Sequence, residues 1–316
     1  MTIRKAVIPA AGLGTRMLPA AKAVPKEILP VVDRPVIQYV VEEAAAAGIS
    51  DVLLVISRGK QAIEDHFGRS PELEQRLNAA GQEALLQSIQ KLASQLRIHS
   101  TRQAEQRGLG DAVLQAKKHV GDEPFLCLLG DAIFSGEPPA PQLVEAHREF
   151  GTSVIGLEEV PIEKVSRYGI VGGTPVRDGV LHLDQFVEKP SPPDAPSRFA
   201  IAARYVLTPR IFKCLEQTTP GKGGEIQLTD ALKLLASREP VHGVVLRGTR
   251  HDVGNPIDWL RTNLLFAARD RKTWDAIAPL VRELARFVPP VPSPAESAGA
   301  AKTAGEGTGG TKRAAK

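Results

Sequence analysis

The chain predicts an α/β protein: a Rossmann-like, mixed but mostly parallel sheet flanked by helices, with a small antiparallel subregion. Three observations carry this. Short apolar runs at 6–8, 52–56, 125–129 and 154–157 alternate with stretches of helical periodicity, the pattern of parallel strands buried on both faces and joined by helical crossovers. A glycine-rich loop, Ala10-Ala11-Gly12-Leu13-Gly14-Thr15-Arg16, follows the first run directly. Over 168–207 the pattern changes to short β segments broken by Gly172-Gly173, Asp178-Gly179 and a proline-rich loop at 190–196, as hairpins require.

Taken in order, the first clear helix follows Pro35, with Val36, Ile37, Val40, Val41 and Ala44 on one face and Gly48 as its C-terminal stop. Residues 71–97 give a longer helical segment in which Leu85, Ile89, Leu92 and Leu96 recur at spacings of four, three and four, with a break near Gly81. Asp111 opens a helix containing Ala112, Val113 and Ala116, and an acid is favourable at a helix N-terminus. Helices return at 209–218, 228–237 and 256–269, the last opened by Asn255 as N-cap and Pro256 in the first turn. From 289 to 316 the composition shifts to Pro, Ala, Gly, Thr and Lys with almost no large apolar residue. A disordered tail is expected there, after one globular domain over 1–288.

With 316 residues and 42% hydrophobic content a sizeable core is available. The net charge is +4, and the tail holds four basic residues against two acidic ones, so the body carries only +2. Such a balance, with 4% aromatic residues, argues against a nucleic-acid partner. No apolar stretch reaches membrane-span length, and the chain begins directly with strand residues instead of a signal peptide. Cys127 and Cys214, the only cysteines, read as reduced thiols in a cytoplasmic protein. The seven histidines show no H-x-x-H or H-x-x-x-H spacing, so a zinc site is not expected.

The glycine loop carries the chemistry. Gly12 and Gly14 let the backbone bend and bring its N–H groups near phosphate oxygens, while Arg16 and Lys26 add charges that a dinucleotide-binding loop does not need. A Rossmann fingerprint fits poorly, since Met17 stands at the third glycine position and Pro19 lies where a long helix should be running. Leu128-Leu129-Gly130-Asp131 ends a buried strand in a carboxylate, and ligand sites of open α/β sheets lie beyond such ends. Asp131 is therefore a metal-ligand candidate, and Asp252, after the apolar run 244–246, is a second. Either acid alone could be a helix cap. No convincing nucleophile–base pair accompanies them.

The stretch Gly12 to Pro30, GLGTRMLPAAKAVPKEILP, resembles the motif of the sugar-1-phosphate nucleotidyltransferases, most closely the bacterial branch that uses UTP and glucose 1-phosphate. The similarity continues through 31–44, Arg107-Gly108-Leu109-Gly110, Glu188-Lys189-Pro190, Gly224-Glu225-Ile226-Gln227-Leu228-Thr229-Asp230 and His251-Asp252-Val253-Gly254-Asn255, covering roughly residues 3–270. It implies the nucleotide-diphospho-sugar transferase fold and Mg²⁺-dependent transfer of a uridylyl group from UTP to α-D-glucose 1-phosphate, giving UDP-glucose and pyrophosphate. It also implies contact of Lys26 with the α-phosphate and reading of the base by Gln103, Gly108 and the backbone of Ala10 and Ala11. Lys189 is implied to hold the sugar phosphate, with Glu188 on the sugar hydroxyls and Glu225 assisting. Gly169 would let the sugar ring approach the backbone, and Arg16, by its fork of donors, suits the departing pyrophosphate.

Asp131 and Asp252 together would supply the protein's share of a Mg²⁺ shell. Two departures from the family pattern stand out: Asp111, where relatives often carry histidine, and Ala203, where they usually carry glycine before the arginine. The resemblance further implies a homodimer or homotetramer, with the 71–97 segment as a possible contact. The alternatives are a thymidylyltransferase acting on the same sugar phosphate, a regulatory homologue that binds nucleotide sugar without turnover, and a nicotinamide-dependent dehydrogenase. Retention of Arg16, Lys26, Asp131, Lys189 and Asp252 favours catalysis.

Overall fold

The computed structural model describes residues 2–287, so the tail expected at 289–316 lies outside the described residues. The chain divides after Leu264 into two units.

The first unit is built on one nine-stranded sheet. Its strands are β1 (Lys5–Pro9), β4 (Asp51–Ile56), β5 (Arg97–Arg102), β6 (Phe125–Leu128), β8 (Ser153–Glu159), β9 (Gly169–Arg177), β10 (Val180–Glu188), β11 (Phe199–Leu207) and β12 (Val241–Val245). They are ordered β5-β4-β1-β6-β11-β8-β12-β10-β9. Two short ribbons stand apart, β2 (Pro30–Val31) with β3 (Arg34–Pro35), and β7 (Ala132–Gly136) with β13 (Gly248–Asp252). The pairings of β5-β4, β4-β1, β1-β6 and β8-β12 are parallel, whereas those made by β10 and β11 are antiparallel. Only β10 and β11 therefore run against the common direction.

The antiparallel segment expected over 168–207 exists as β9, β10 and β11, but it is no appendage. β11 crosses into the centre of the sheet between β6 and β8. Its sequence FAIAARYVL is apolar enough to be covered on both sides, which an edge hairpin would not require. The Asp178-Gly179 dipeptide joins β9 to β10, with Gly179 at φ +70° as a tight two-residue turn demands.

Helices cover both faces. Successive strand residues point to opposite sides, so Val7, Leu53, Phe125 and Cys127 pack with Val113, Phe212 and Leu232 in one core. Those last three come from α5 (Leu109–Leu114), α8 (Arg210–Gln217) and α9 (Leu228–Ala236). α1 (Val36–Ala46) and α7 (Pro139–Phe150) pack together, and α7 lies on β8 and β11. All five apolar residues expected on the face of α1 are buried. The 71–97 segment is two helices, α3 (Pro71–Ala79) and α4 (Glu83–Gln95), separated where Gly81 takes φ +67°, and its final residue already belongs to β5. The remaining helices of this unit are α2 (Gln61–Phe67) and α6 (Lys117–Val120), and α10 (Pro256–Ala267) begins in it. Asn255 caps α10, its Oδ1 accepting from the Asp258 N–H at 3.0 Å. Among the described residues no helix is long and apolar enough to cross a membrane.

In the second unit, α11 (Arg271–Phe287) is capped by Asp270, whose Oδ2 accepts from the Thr273 N–H at 2.7 Å.

Candidate active site

Four neighbouring parallel strands deliver their carboxyl ends to one edge. The Ala10 N–H donates to Val55 O at 2.8 Å, the Gln103 N–H to Ile56 O at 2.9 Å, and the Gly130 N–H to Pro9 O at 3.2 Å. The glycine loop, Gln103 and the strand end carrying Asp131 thus lie side by side because the sheet register puts them there. After β1 the chain cannot continue as a strand: Gly14 takes φ +67°, and single 3₁₀ turns at Thr15–Met17, Ala20–Lys22 and Lys26–Ile28 follow. This folding back carries Lys26 to Asp131, where its Nζ donates to Oδ2 at 2.5 Å. Burial works against the Lys26 ammonium, but attraction to Asp131 and Glu27 and the hydrogen bond to Asp131 outweigh it, so its pKa lies above the ordinary 10.5. Burial likewise opposes ionisation of Asp131, and Lys26 followed by Arg16 overcomes it, holding that carboxylate below 3.8.

Asp252 reaches the same place from the β7–β13 ribbon. It pairs with Ala132, and the Val253 N–H donates to Asp131 O at 3.1 Å. Arg16 arrives over the turn that follows: a Cβ on Gly254 would stand 2.8 Å from Arg16 Nη2 and 2.9 Å from Asp252 Oδ1. Only glycine leaves that approach open. Arg16, Asp131, Lys189 and Asp252 line one cavity of about 610 Å³, together with Tyr168 and Arg250. Lys189 sits just past β10 at φ +48°, its N–H donating to Tyr168 O at 3.0 Å, and its Nζ lies 3.1 Å from Glu188 Oε1.

Glu188 Oε2 accepts from Thr229 Oγ1 at 2.7 Å. A Cβ on Gly169 would meet that hydroxyl at 2.8 Å and Glu188 Oε2 at 3.2 Å. A side chain at Gly169 would therefore collide with the Thr229–Glu188 pair, which packs directly against the backbone there. Glu225 is exposed, takes a 3.2 Å hydrogen bond from Gln227 Nε2, and packs beside Gly108 instead of lining the cavity.

The base-reading candidates form their own cluster. Gly108, at φ +107°, has no room for a Cβ, which would stand 2.7 Å from Ile226 O. The flanking backbone is clamped, Ile226 N–H to Arg107 O at 2.7 Å and Gly110 N–H to Ile226 O at 2.8 Å. Gln103 Nε2 donates to Asp111 Oδ2 at 2.7 Å and to Gly108 O at 3.1 Å. Ala10 and Ala11 are buried at the loop's base, whereas Gly12 is exposed with open space over its Cα.

Sequence reasoning missed four residues. Lys60 donates to Ala10 O at 2.5 Å and to both oxygens of the buried Glu27, at 3.0 and 2.8 Å. It ties the glycine loop to the turn bearing Lys26. Its position after Ser57-Arg58-Gly59, at the end of a parallel strand, was the available signal. Burial outweighs the pairing for both, pushing Glu27 up and Lys60 down. Arg204, fully buried, pairs with Glu43 at 2.7 Å and donates to Ala132 O at 2.8 Å and, through Nη1, to Leu129 O at 3.4 Å. These bonds bracket Asp131. Arg250, two residues before Asp252 on β13, pairs with Glu158 and lies over the Tyr168 ring at 4.3 Å. Thr229, at the start of α9, is the fourth. His251 points elsewhere, its Nε2 2.7 Å from Ser135 Oγ. Cys127 and Cys214 are free and buried, burial pushing the Cys127 thiol up to about 12.

Among the described residues no three His, Cys, Asp or Glu side chains gather as an all-protein metal cage. Two cavity-lining carboxylates suit a hard cation that completes its shell with phosphate oxygens and water.

Comparison with known proteins agrees with this architecture. The family model described as nucleotidyl transferase matches residues 5–268. The UTP–glucose-1-phosphate uridylyltransferase of Bacillus subtilis (strain 168) is 47% identical over 283 residues, 89% of this chain and 97% of that protein. The structure of a UTP-bound UGPase from Acinetobacter baumannii superposes with a TM-score of 0.82 at 37% identity, covering 89% of this chain and 99% of that one. A UDP-glucose pyrophosphorylase complexed with UDP-glucose gives 0.78 at 37% identity over 85% of this chain and 100% of its own. With a strand-end cavity holding Arg16, Asp131, Lys189 and Asp252, and a family match over most of its length, the chain belongs to the nucleotidyl transferase family.

Proposed function

We propose that the chain transfers a uridylyl group from UTP to α-D-glucose 1-phosphate, giving UDP-glucose and pyrophosphate by in-line displacement. The observation that carries this is the convergence of Arg16, Lys189, Asp131 and Asp252 on one cavity, with Lys26 bonded to Asp131 at its edge. A sugar phosphate oxygen attacks the α-phosphorus, a new P–O bond forms, and the bond from the α-phosphorus to the bridging oxygen of the β-phosphate breaks. The nucleophile is already an anion, so positioning and screening of charge suffice. Lys26, kept protonated by its neighbours, answers the charge developing on the α-phosphate. Arg16 holds the leaving pyrophosphate, and Lys189 holds the incoming monoester. Asp131 and Asp252 would hold Mg²⁺, which supplies charge neutralisation and alignment of phosphate oxygens. Gly12 and Gly14 floor the triphosphate, Ala10, Ala11, Gln103 and Gly108 face the base, and Glu188 faces the sugar.

Several relatives bear names of uridylyltransferases that use glucose 1-phosphate, which supports UTP over dTTP and glucose over other hexoses. Cytoplasmic placement accords with two unpaired buried thiols. Assembly as a homodimer or homotetramer accords with the exposed Leu73, Leu85 and Ile89 on α3 and α4; light scattering showing a monomer would reject it. The deciding experiment is pyrophosphate release from each nucleoside triphosphate with a panel of hexose 1-phosphates. UTP with glucose 1-phosphate is expected to give the highest kcat/KM, and Lys26→Ala to lose on the order of 10²–10³ in kcat. A preference for dTTP, or a wild type as slow as Lys26→Ala, would overturn the assignment.

A further inference from the structure

Gln103 can turn either end of its amide toward a ligand, and which end it shows decides what base it accepts. Its Nε2 has two acceptors inside the protein, Asp111 Oδ2 at 2.7 Å and Gly108 O at 3.1 Å. Turned over, the amide would set Oε1 against a carboxylate and a carbonyl, losing both bonds and opposing acceptor to acceptor. Asp111 itself is almost fully buried and cannot turn aside: Arg107 Nη2 donates to its other oxygen at 2.9 Å. The loop carrying Arg107 and Gly108 is clamped to Ile226 on both sides. Among the described residues no donor pairs with Gln103 Oε1, and no fully buried side-chain polar atom lacks a partner, so this oxygen of a buried side chain is not sealed inside the protein.

We propose that Asp111 is a positioning residue for base specificity: by consuming the amide hydrogens of Gln103 with Gly108, it fixes Oε1 as an acceptor toward the ligand. Where the ring N3 of a pyrimidine faces this oxygen, the site demands an N–H at that ring position. The imide N3–H of uracil or thymine satisfies this, whereas the N3 lone pair of cytosine faces another lone pair. This rests on the uridylyltransferase reading and deepens it: Gln103 separates imide bases from cytosine and does not separate uracil from thymine.

The test measures kcat and KM for UTP, dTTP and CTP with saturating glucose 1-phosphate, for the full wild-type chain and for Asp111→Asn, with thermal unfolding of both. Wild type is expected to prefer UTP over CTP by on the order of a hundredfold or more, since a ligand that leaves a buried polar group unpaired is strongly rejected. Asparagine can present its own N–H₂ to a turned Gln103, so Asp111→Asn is expected to lower the UTP:CTP ratio about tenfold through KM while leaving UTP:dTTP unchanged. General damage to the fold would move all three nucleotides together. An unchanged UTP:CTP ratio in a folded Asp111→Asn overturns the inference. Should that variant not fold, wild type decides: CTP used nearly as well as UTP overturns it while the transferase reading stands. Absence of turnover with both UTP and dTTP would overturn the transferase reading itself.

Discussion

The ion pair of Lys26 with Asp131 has a pH signature whose direction follows from its electrostatics. The folded state holds Asp131 below its ordinary 3.8 because Lys26 and Arg16 outweigh burial. A carboxyl group depressed on folding adds stability above its unfolded pKa, and that stability is lost as pH falls through the folded value. Urea denaturation between pH 5 and pH 2 is therefore expected to show a steeper acid limb for wild type than for Asp131→Asn; parallel limbs would show that the pair is not formed in solution. Ala203 is a second case at this scale. It holds φ +59° within β11, at the register shift between Ile201 and Tyr205, and lines the cavity. An L-residue in that region is strained by roughly 1–2 kcal/mol, and glycine returns part of this as unfolded-state entropy. Ala203→Gly is expected to stabilise the protein by about 0.5–1 kcal/mol, read as a higher urea midpoint at constant slope. A loss of stability would mean that the alanine methyl contributes more by packing than its backbone costs.

At the scale of elements, β11 is held to α1 and to the strand end bearing Asp131 by one buried arginine. Arg204 is fully buried and Glu43 nearly so, and the guanidinium also serves Leu129 O, Ala132 O and Ala203 O. Removing the charge of Glu43 leaves a buried cation without its counter-ion, a defect of about 3–5 kcal/mol. Glu43→Gln is expected to cost that much in chemical denaturation, and Glu43→Gln with Arg204→Met to recover part of it. No recovery would assign the loss to packing. This pair also shows what the sequence made legible. Strands β1, β4, β6 and β8 could be read because burial on both faces makes each a continuous apolar run, and the β9–β10 turn because Asp178-Gly179 has few other uses. β5, RIHSTR, is a largely polar edge strand, and β13, GTRHD, lines the cavity, so neither has an apolar pattern to betray it. The motif residues Arg16, Lys26, Asp131, Lys189 and Asp252 were legible from glycine loops and strand ends. Arg204 was not, because its partner stands 161 positions away in the chain, and neither was Thr229, whose meaning lies in its bond to Glu188.

For the whole molecule, the cavity couples ligand binding to stability. The loop after β1 and the strand ends after β10 and β13 are distant in sequence, yet all contribute side chains to the same 610 Å³. A triphosphate and cation bound there would hold these segments in their native arrangement and would have no comparable site in the unfolded chain. The resulting linkage stabilises the native state by about 2.7 kcal/mol at a ligand concentration a hundred times Kd. For a chain of this size, UTP with Mg²⁺ is expected to raise Tm by on the order of 5 °C. Metal chelation should remove much of that increase, because the triphosphate would then face Asp131 and Asp252 with no cation between them. Asp252→Asn distinguishes this account from general nucleotide binding. That variant removes one carboxylate charge from the proposed cation shell while Arg16 and Lys26 remain, so the difference between UTP with magnesium and UTP with chelator should shrink, and stabilisation by UTP alone should persist. An Asp252→Asn protein with the full magnesium-dependent increment would remove Asp252 from the cation's shell.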